Sequence, residues 1–197
     1  MRLLVTRILL SCLLIAPTLV FAQGRRIDTT MKVGKAGYRI NCINKSAEKN
    51  AISINPVGFE NEVRDFNFDF KGILLGTEVD DLNKDGFPDL LLYVNTKDSL
   101  NKSTVIGISS LENKSVAPIV FPDILDDPRF RDGYRGSDQY MLLEGILMRT
   151  YPLYEKDTNG LQQPTGKLRR LMYRVTQGEQ GTLKFVVSRF YDFQKKQ

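Results

Sequence analysis

From Tyr38 onward apolar residues recur mostly at every second position, and no stretch carries the long stripe of an amphipathic helix. Period two is the geometry of a strand, which sends successive side chains to opposite faces. Phe66, Phe68 and Phe70 in FNFDF show it most sharply, with one residue after Val63 out of phase, as a bulge would place it. Tyr38, Ile40 and Cys42 share one face of GYRINCINK. Ile73 to Val79, Leu90 to Val94, Thr104 to Leu111 and Tyr140 to Met148 read as further strands. Leu168 to Val175 and Leu183 to Phe193 read as a terminal pair joined by a turn at GEQG. The expected fold is all-β and antiparallel, a sandwich or a partly open barrel with a strand–acidic loop–strand hairpin and two long loops. One loop is the Pro/Asp/Gly-rich span from Pro122 to Gly136, with room for a helical turn; the other runs from Glu155 to Lys167.

The N-terminus follows a different rule. Arg2 and Arg7 precede an apolar run from Ile8 to Leu19, and Val20-Phe21-Ala22 supplies a signal-peptidase pattern before Gln23. Residues 1–22 therefore read as a secretory signal peptide, which makes the product periplasmic or secreted. Lipoprotein processing at Cys12 is the weaker alternative, since it would leave the apolar stretch Leu13 to Phe21 on the mature chain. Residues 23–35 have little pattern and read as a loose arm, and 36–197 as a single all-β domain. No later stretch approaches the ~18 apolar residues of a membrane helix.

Composition narrows the chemistry. Without Arg2 and Arg7, 26 basic residues face 23 acidic ones, a net charge near +3 that is too small and too scattered for a nucleic-acid surface. Cys42 is then the one cysteine, so no internal disulfide forms, and its strand position reads as a small buried hydrophobe. The sequence contains no histidine, which removes Ser-His and Cys-His nucleophiles and every histidine-liganded metal site. Carboxylate and lysine chemistry survive this filter. The expectation is a protein that is not an enzyme, with a carboxylate-pair glycan hydrolase as the enzymatic rival.

Residues 81–89, DLNKDGFPD, set oxygen-bearing groups at regular spacing. With Asp81 as position 1, Asn83, Asp85, the Phe87 carbonyl and Asp89 fall at positions 3, 5, 7 and 9, and Gly86 permits the positive φ of a tight loop. Calcium takes six to eight oxygens, and this alternation could turn each one inward. An EF-hand would need Glu at position 12, where this chain has Leu92, and an apolar strand follows where a helix should. The reading is a structural calcium loop between two strands; a polar turn whose Asp and Asn side chains cap their own amides is the alternative.

The stretch VDDLNKDGFPDLLLYV resembles the strand–acidic loop–strand element of bacterial periplasmic inhibitors of invertebrate-type lysozyme, although integrin-type FG-GAP repeats carry similar loops. GYRGSDQY is similar to a further segment of that family. So is LMRTYPLYEKDTNGLQQPTGKLRRLMYRV, through Arg149, Tyr151-Pro152-Leu153-Tyr154, Asp157-Thr158-Asn159, Pro164-Thr165-Gly166, Arg169 and Tyr173. The resemblance spans about Gly72 to Val175. It implies an exported all-β protein that binds a lysozyme and blocks its cleft without turnover. In that family a Ser-Gly-x-Tyr loop after the acidic hairpin enters the cleft. This chain has VNTKDSLNKST there, so Ser99, Asn101 and Ser103 take the equivalent positions without an aromatic anchor.

Two readings stay open for the later segment. Tyr151, Tyr154 and Arg169 form a recognition patch, or Arg149, Arg169 and Arg170 with Asp157 form an ion-pair set that holds the loop. The expected partner is a protein, a lysozyme by the resemblance, with a homodimer also open. The rival function is a calcium-stabilised structural or adhesion module of the cell envelope.

Overall fold

The alternation becomes twelve strands in a computed structural model that describes residues 26–60 and 63–194. The expected signal peptide, 1–22, lies outside the described residues. The first sheet is antiparallel in chain order: β1 (Ile27–Val33), β2 (Ala36–Cys42), β3 (Asn50–Val57) and β4 (Phe66–Phe70). The second contains β5 (Ile73–Asp80), β6 (Asp89–Asn95), β7 (Ser103–Leu111), β8 (Ser115–Val120), β9 (Gln139–Leu143), β10 (Ile146–Lys156), β11 (Gln162–Gln177) and β12 (Leu183–Gln194). Its order, β5-β6-β7-β8-β12-β11-β10-β9, curls into a nearly closed barrel. All neighbours are antiparallel except β8 and β12, which meet in parallel through only Leu183–Ile119 and Lys184–Val120. The seam between β5 and β9 is narrowed where the Gly145 N–H donates to Asp80 at 2.8 Å and Tyr93 stacks on Tyr140 at 5.6 Å.

The strand period decides two cores. Leu91, Val105, Leu147, Tyr151, Leu171 and Phe185 point into the barrel. Leu90, Leu92, Val94 and Ile108 point out of it and meet Tyr38, Ile40, Cys42, Ile52 and Ile54 of the first sheet. Strand β6 is therefore covered on both faces, which is why Leu90-Leu91-Leu92 reads as an unbroken apolar run instead of alternating. Each such leucine contributes ~1.5–3 kcal/mol by leaving water. The architecture joins both expected forms, a barrel with a four-stranded sheet packed against one side.

Four details differ from the sequence reading. Residues 27–33 are not a loose arm: β1 pairs with β2 from Ile27–Cys42 to Val33–Ala36, held by backbone bonds that a mixed-polarity strand makes as well as an apolar one. Tyr140 to Met148 is not one strand but the turn of a hairpin, with Glu144 (φ 51°) and Gly145 (φ 74°) both left-handed as a two-residue turn requires. The loop from Glu155 to Lys167 shrinks to residues 157–161, because β10 and β11 continue on either side of it. Asp157 closes that turn by accepting the N–H groups of Asn159 and Leu161, each at 2.9 Å. Last, β3 and β8 add strands that the sequence reading did not single out.

The other long loop is real. A 3-10 turn (Ile124–Asp126) and the short helix α1 (Pro128–Arg131) are capped by Asp123 and Asp127, and the segment buries Phe130 and Tyr134 against the barrel. Among the described residues no helix is long and apolar enough to cross a membrane.

Candidate functional site

The acidic hairpin tip is organised by its own amides. Asp81 accepts the N–H groups of Asp85 at 3.0 Å and Gly86 at 2.9 Å, one on each oxygen. Asp85 accepts the Phe87 N–H at 2.9 Å with one oxygen and the Asn83 side-chain amide at 2.7 Å with the other. Lys84 (φ 63°) and Gly86 (φ 89°) supply the left-handed backbone of the turn. Asp80 is engaged elsewhere, accepting from Asp81 and from Gly145 across the barrel seam.

Asp89 does not belong to the tip. Its side chain turns inward, is fully buried, and accepts the Leu82 N–H at 3.0 Å, the Ser109 hydroxyl at 2.7 Å and the Ser110 N–H at 2.9 Å. It fastens the hairpin to β7, so the residue expected as a fifth cation ligand has both oxygens engaged by protein donors. Burial raises its pKa to about 6, while the bonds from Ser109, Ser110 and Leu82 oppose that rise. Asp81, Asn83, Asp85 and the Phe87 carbonyl remain as possible cation ligands. Among the described residues no three acidic or cysteine side chains converge as a metal centre. Counting both oxygens of Asp81 and Asp85 with the Asn83 amide oxygen and the Phe87 carbonyl, the tip offers up to six protein oxygens, the lower end of what a hard cation such as calcium takes.

At the opposite end of the same strands lies the β6–β7 loop, residues 96–102. Asp98 builds it: one carboxylate oxygen accepts the N–H groups of Leu100 at 3.1 Å and Lys102 at 3.0 Å, and its carbonyl accepts the Asn101 N–H at 2.9 Å. Lys97 (φ 54°) and Asn101 (φ 50°) adopt the left-handed conformation that lets so short a loop reverse. Ser99 and Asn101 are exposed on it, with the Asn101 oxygen accepting from Asn95 at 3.0 Å. Gly136 seats the loop from below. Its φ is +79°, and a Cβ there would lie 1.7 Å from the Leu100 carbonyl oxygen.

Ser103 is the foot of the loop and not part of its surface. It is buried, donates its N–H to Asp138 at 2.8 Å, and its carbonyl accepts the Tyr140 hydroxyl at 2.8 Å. Asp138 in turn holds Arg149 at 2.7 Å, with side chains 0% and 2% exposed. The Tyr134 hydroxyl donates to Asp138 at 2.6 Å and accepts from Arg149 at 3.0 Å. Rings of Tyr134, Tyr140 and Phe121 surround the guanidinium at 5.3, 5.8 and 6.0 Å. Burial pushes the Tyr134 and Tyr140 phenols up, so both stay neutral donors. GYRGSDQY thus forms the socket for one buried arginine beneath the exposed loop.

The proposed recognition patch of Tyr151, Tyr154 and Arg169 does not come together at the surface. Tyr151 is buried and donates to the Phe130 carbonyl at 3.1 Å. Arg169 grips Asp192 through two bonds of 2.7 and 2.9 Å and donates to the Arg129 carbonyl. Tyr154 is half-buried beside the β10–β11 register shift. The expected ion-pair set also regroups: Arg149 pairs with Asp138 and Arg169 with Asp192, whereas Asp157 serves its own turn. The sequence reading missed Asp138 and Tyr134 as the fixed partners of Arg149. The one local signal is an arginine inside LMRTYPL, where its alternate neighbours Leu147 and Tyr151 face the core.

Comparison of the chain with family models and with curated proteins finds no match in either.

Proposed function

We propose that the protein is an exported, non-catalytic protein-binding domain that blocks a lysozyme cleft with its β6–β7 loop. The observation that carries this reading is a loop at once exposed and pinned. Ser99 and Asn101 face solvent while Asp98, Asn95 and Gly136 fix the backbone beneath them. A loop ordered before binding loses little entropy on docking, which is what a cleft-blocking segment needs. The nearby carboxylates support a binding role over turnover. Asp98 and Asp138 are committed to amides or to arginine, and Asp123 holds Lys102 at 2.6 Å. The resemblance to inhibitors of invertebrate-type lysozyme supplies the target class.

The test is a lysozyme activity assay with the purified protein against invertebrate-type, chicken-type and goose-type enzymes. Dose-dependent inhibition of one class is expected, weakened at least tenfold when Ser99 and Asn101 are both replaced by Ala, a loss of about 1.4 kcal/mol. A folded protein that inhibits none of the three classes would sink the reading.

Calcium at the acidic tip is a second, structural element of the proposal, favoured by the clustering of Asp81, Asn83 and Asp85 around one turn. The ion would supply charge neutralisation between two carboxylates and no catalytic chemistry. Millimolar calcium is expected to stabilise the fold by about 1 kcal/mol, a Tm rise of roughly 3 °C. Asp81→Ala should remove that rise. An equal rise in the variant would place the ion elsewhere.

A further inference from the structure

The barrel is closed by its weakest pairing. After Lys184, β12 leaves β8, and Phe185 to Gln194 have β11 as their one sheet neighbour among the described residues. The segment that follows β8 runs beside Lys184 to Val187 and leaves a cavity of about 210 Å³ between them, and among the described residues it makes no backbone hydrogen bond to this part of β12. A row of backbone donors and acceptors is left open along an edge, which is a template for another strand.

The side chains on this edge are not those of a protected one. Val186, Phe190 and Tyr191 are 39%, 45% and 37% exposed. Among the described residues Phe190 has one ring neighbour, the edge-on Phe130 at 5.1 Å, and the Arg169 guanidinium lies 5.9 Å from its ring centre. We infer that β12 pairs antiparallel with β12 of a second copy of this chain, about a twofold axis at Phe190, so that the sheet continues from one barrel into the next.

The register is chosen by side-chain facing and chemistry. Opposite residues must share a face, and β11 shows that Phe190 and Asp192 lie on the inner face, with Arg189, Tyr191 and Phe193 on the outer. Centring on Phe190 sets that ring against its copy, extending the Phe130–Phe190 contact into four rings. It also sets Arg189 against Tyr191 of the second copy, a cation–π pair made twice by symmetry. Ser188 is the extra residue of the β11–β12 bulge, between Tyr173–Val187 and Met172–Arg189. Val187 and Ser188 then stand together opposite Asp192, which brings exposed Val186 against Phe193 on the outer face. Centring on Arg189 would instead oppose two arginines, and like charges placed directly across a ladder are unfavourable.

The purified protein is expected to run in light scattering or sedimentation equilibrium as a concentration-dependent dimer of twice the monomer mass. Phe190→Lys and, separately, Val186→Lys should each give a monomer. Val186→Lys is the control for folding, because its side chain belongs to neither core cluster, and its Tm should match that of the parent at concentrations where the parent is monomeric. Phe190→Cys should cross-link the pair on mild oxidation, since Cys42 is buried and directly opposed strand residues bring their Cα atoms within disulfide range. A monomer at every concentration would overturn the inference, as would a dimer that survives both lysine variants.

Discussion

Asp138→Ala is expected to cost about 3–5 kcal/mol, because it leaves Arg149 charged, buried and without its carboxylate. The loss is larger than one ion pair. Asp138 also accepts from the Ser103 N–H and the Tyr134 hydroxyl, so three donors lose their acceptor together. Against a total stability of ~5–15 kcal/mol such a change brings the domain near unfolding. The sign reverses when both partners go. The double variant Asp138→Leu with Arg149→Met fills the same space with apolar groups among the Phe121, Tyr134 and Tyr140 rings, and should recover most of the loss. Urea unfolding reads this as a lowered midpoint at constant m for the single variant and a restored midpoint for the double. A single-variant loss below about 1 kcal/mol would mean that the pair is hydrated and behaves as a surface bridge.

This cluster also shows where sequence stops being legible. The strand class was visible because alternation is a local property, and Tyr38, Ile40 and Cys42 share a buried face as their spacing implies. The acidic hairpin was visible for the same reason, its ligand-like residues lying within nine positions. Which carboxylate meets Arg149 depends on closure of the barrel, which brings residue 138 to residue 149 and the foot of the β6–β7 loop to both. The tyrosine and arginine side chains of Tyr151, Tyr154 and Arg169 suggested a surface, yet the β10 register turns Tyr151 into the core, and β12 supplies Asp192 to Arg169 from 23 residues away. Turn chemistry failed in one place: Glu144-Gly145 is a two-residue hairpin without the Asn-Gly signature, so β9 and β10 read as one strand. In the acidic tip the order of the residues misled in a different way. Asp89 holds a ligand position by count, but it is the first residue of β6, and the pleat aims it inward at Ser109 and Ser110.

That inward turn makes Asp89 the second site of large effect. Asp89→Ala is expected to cost about 3 kcal/mol at acidic pH, since the Leu82 N–H, the Ser110 N–H and the Ser109 hydroxyl all lose their buried acceptor. The loss should depend on pH with a definite sign. Burial raises the carboxyl from 3.8 to about 6 in the folded protein, so the folded state holds a proton that the unfolded chain releases. The stability tied to that proton is complete below pH ~4 and is lost as pH rises through ~6, on the order of 2–3 kcal/mol. Removing the carboxyl removes this slope. With chelator present so that no cation reaches the tip, the gap in unfolding free energy between the parent and Asp89→Ala should therefore narrow from pH 4 to pH 7, because the carboxylates held low in both proteins, such as Asp98, Asp123 and Asp192, cancel in the difference. The two curves converge toward neutral pH, where the parent must carry a buried charge and the variant does not. Parallel curves over that range would show that Asp89 titrates as an ordinary carboxylate, and that its three hydrogen bonds fully offset its burial.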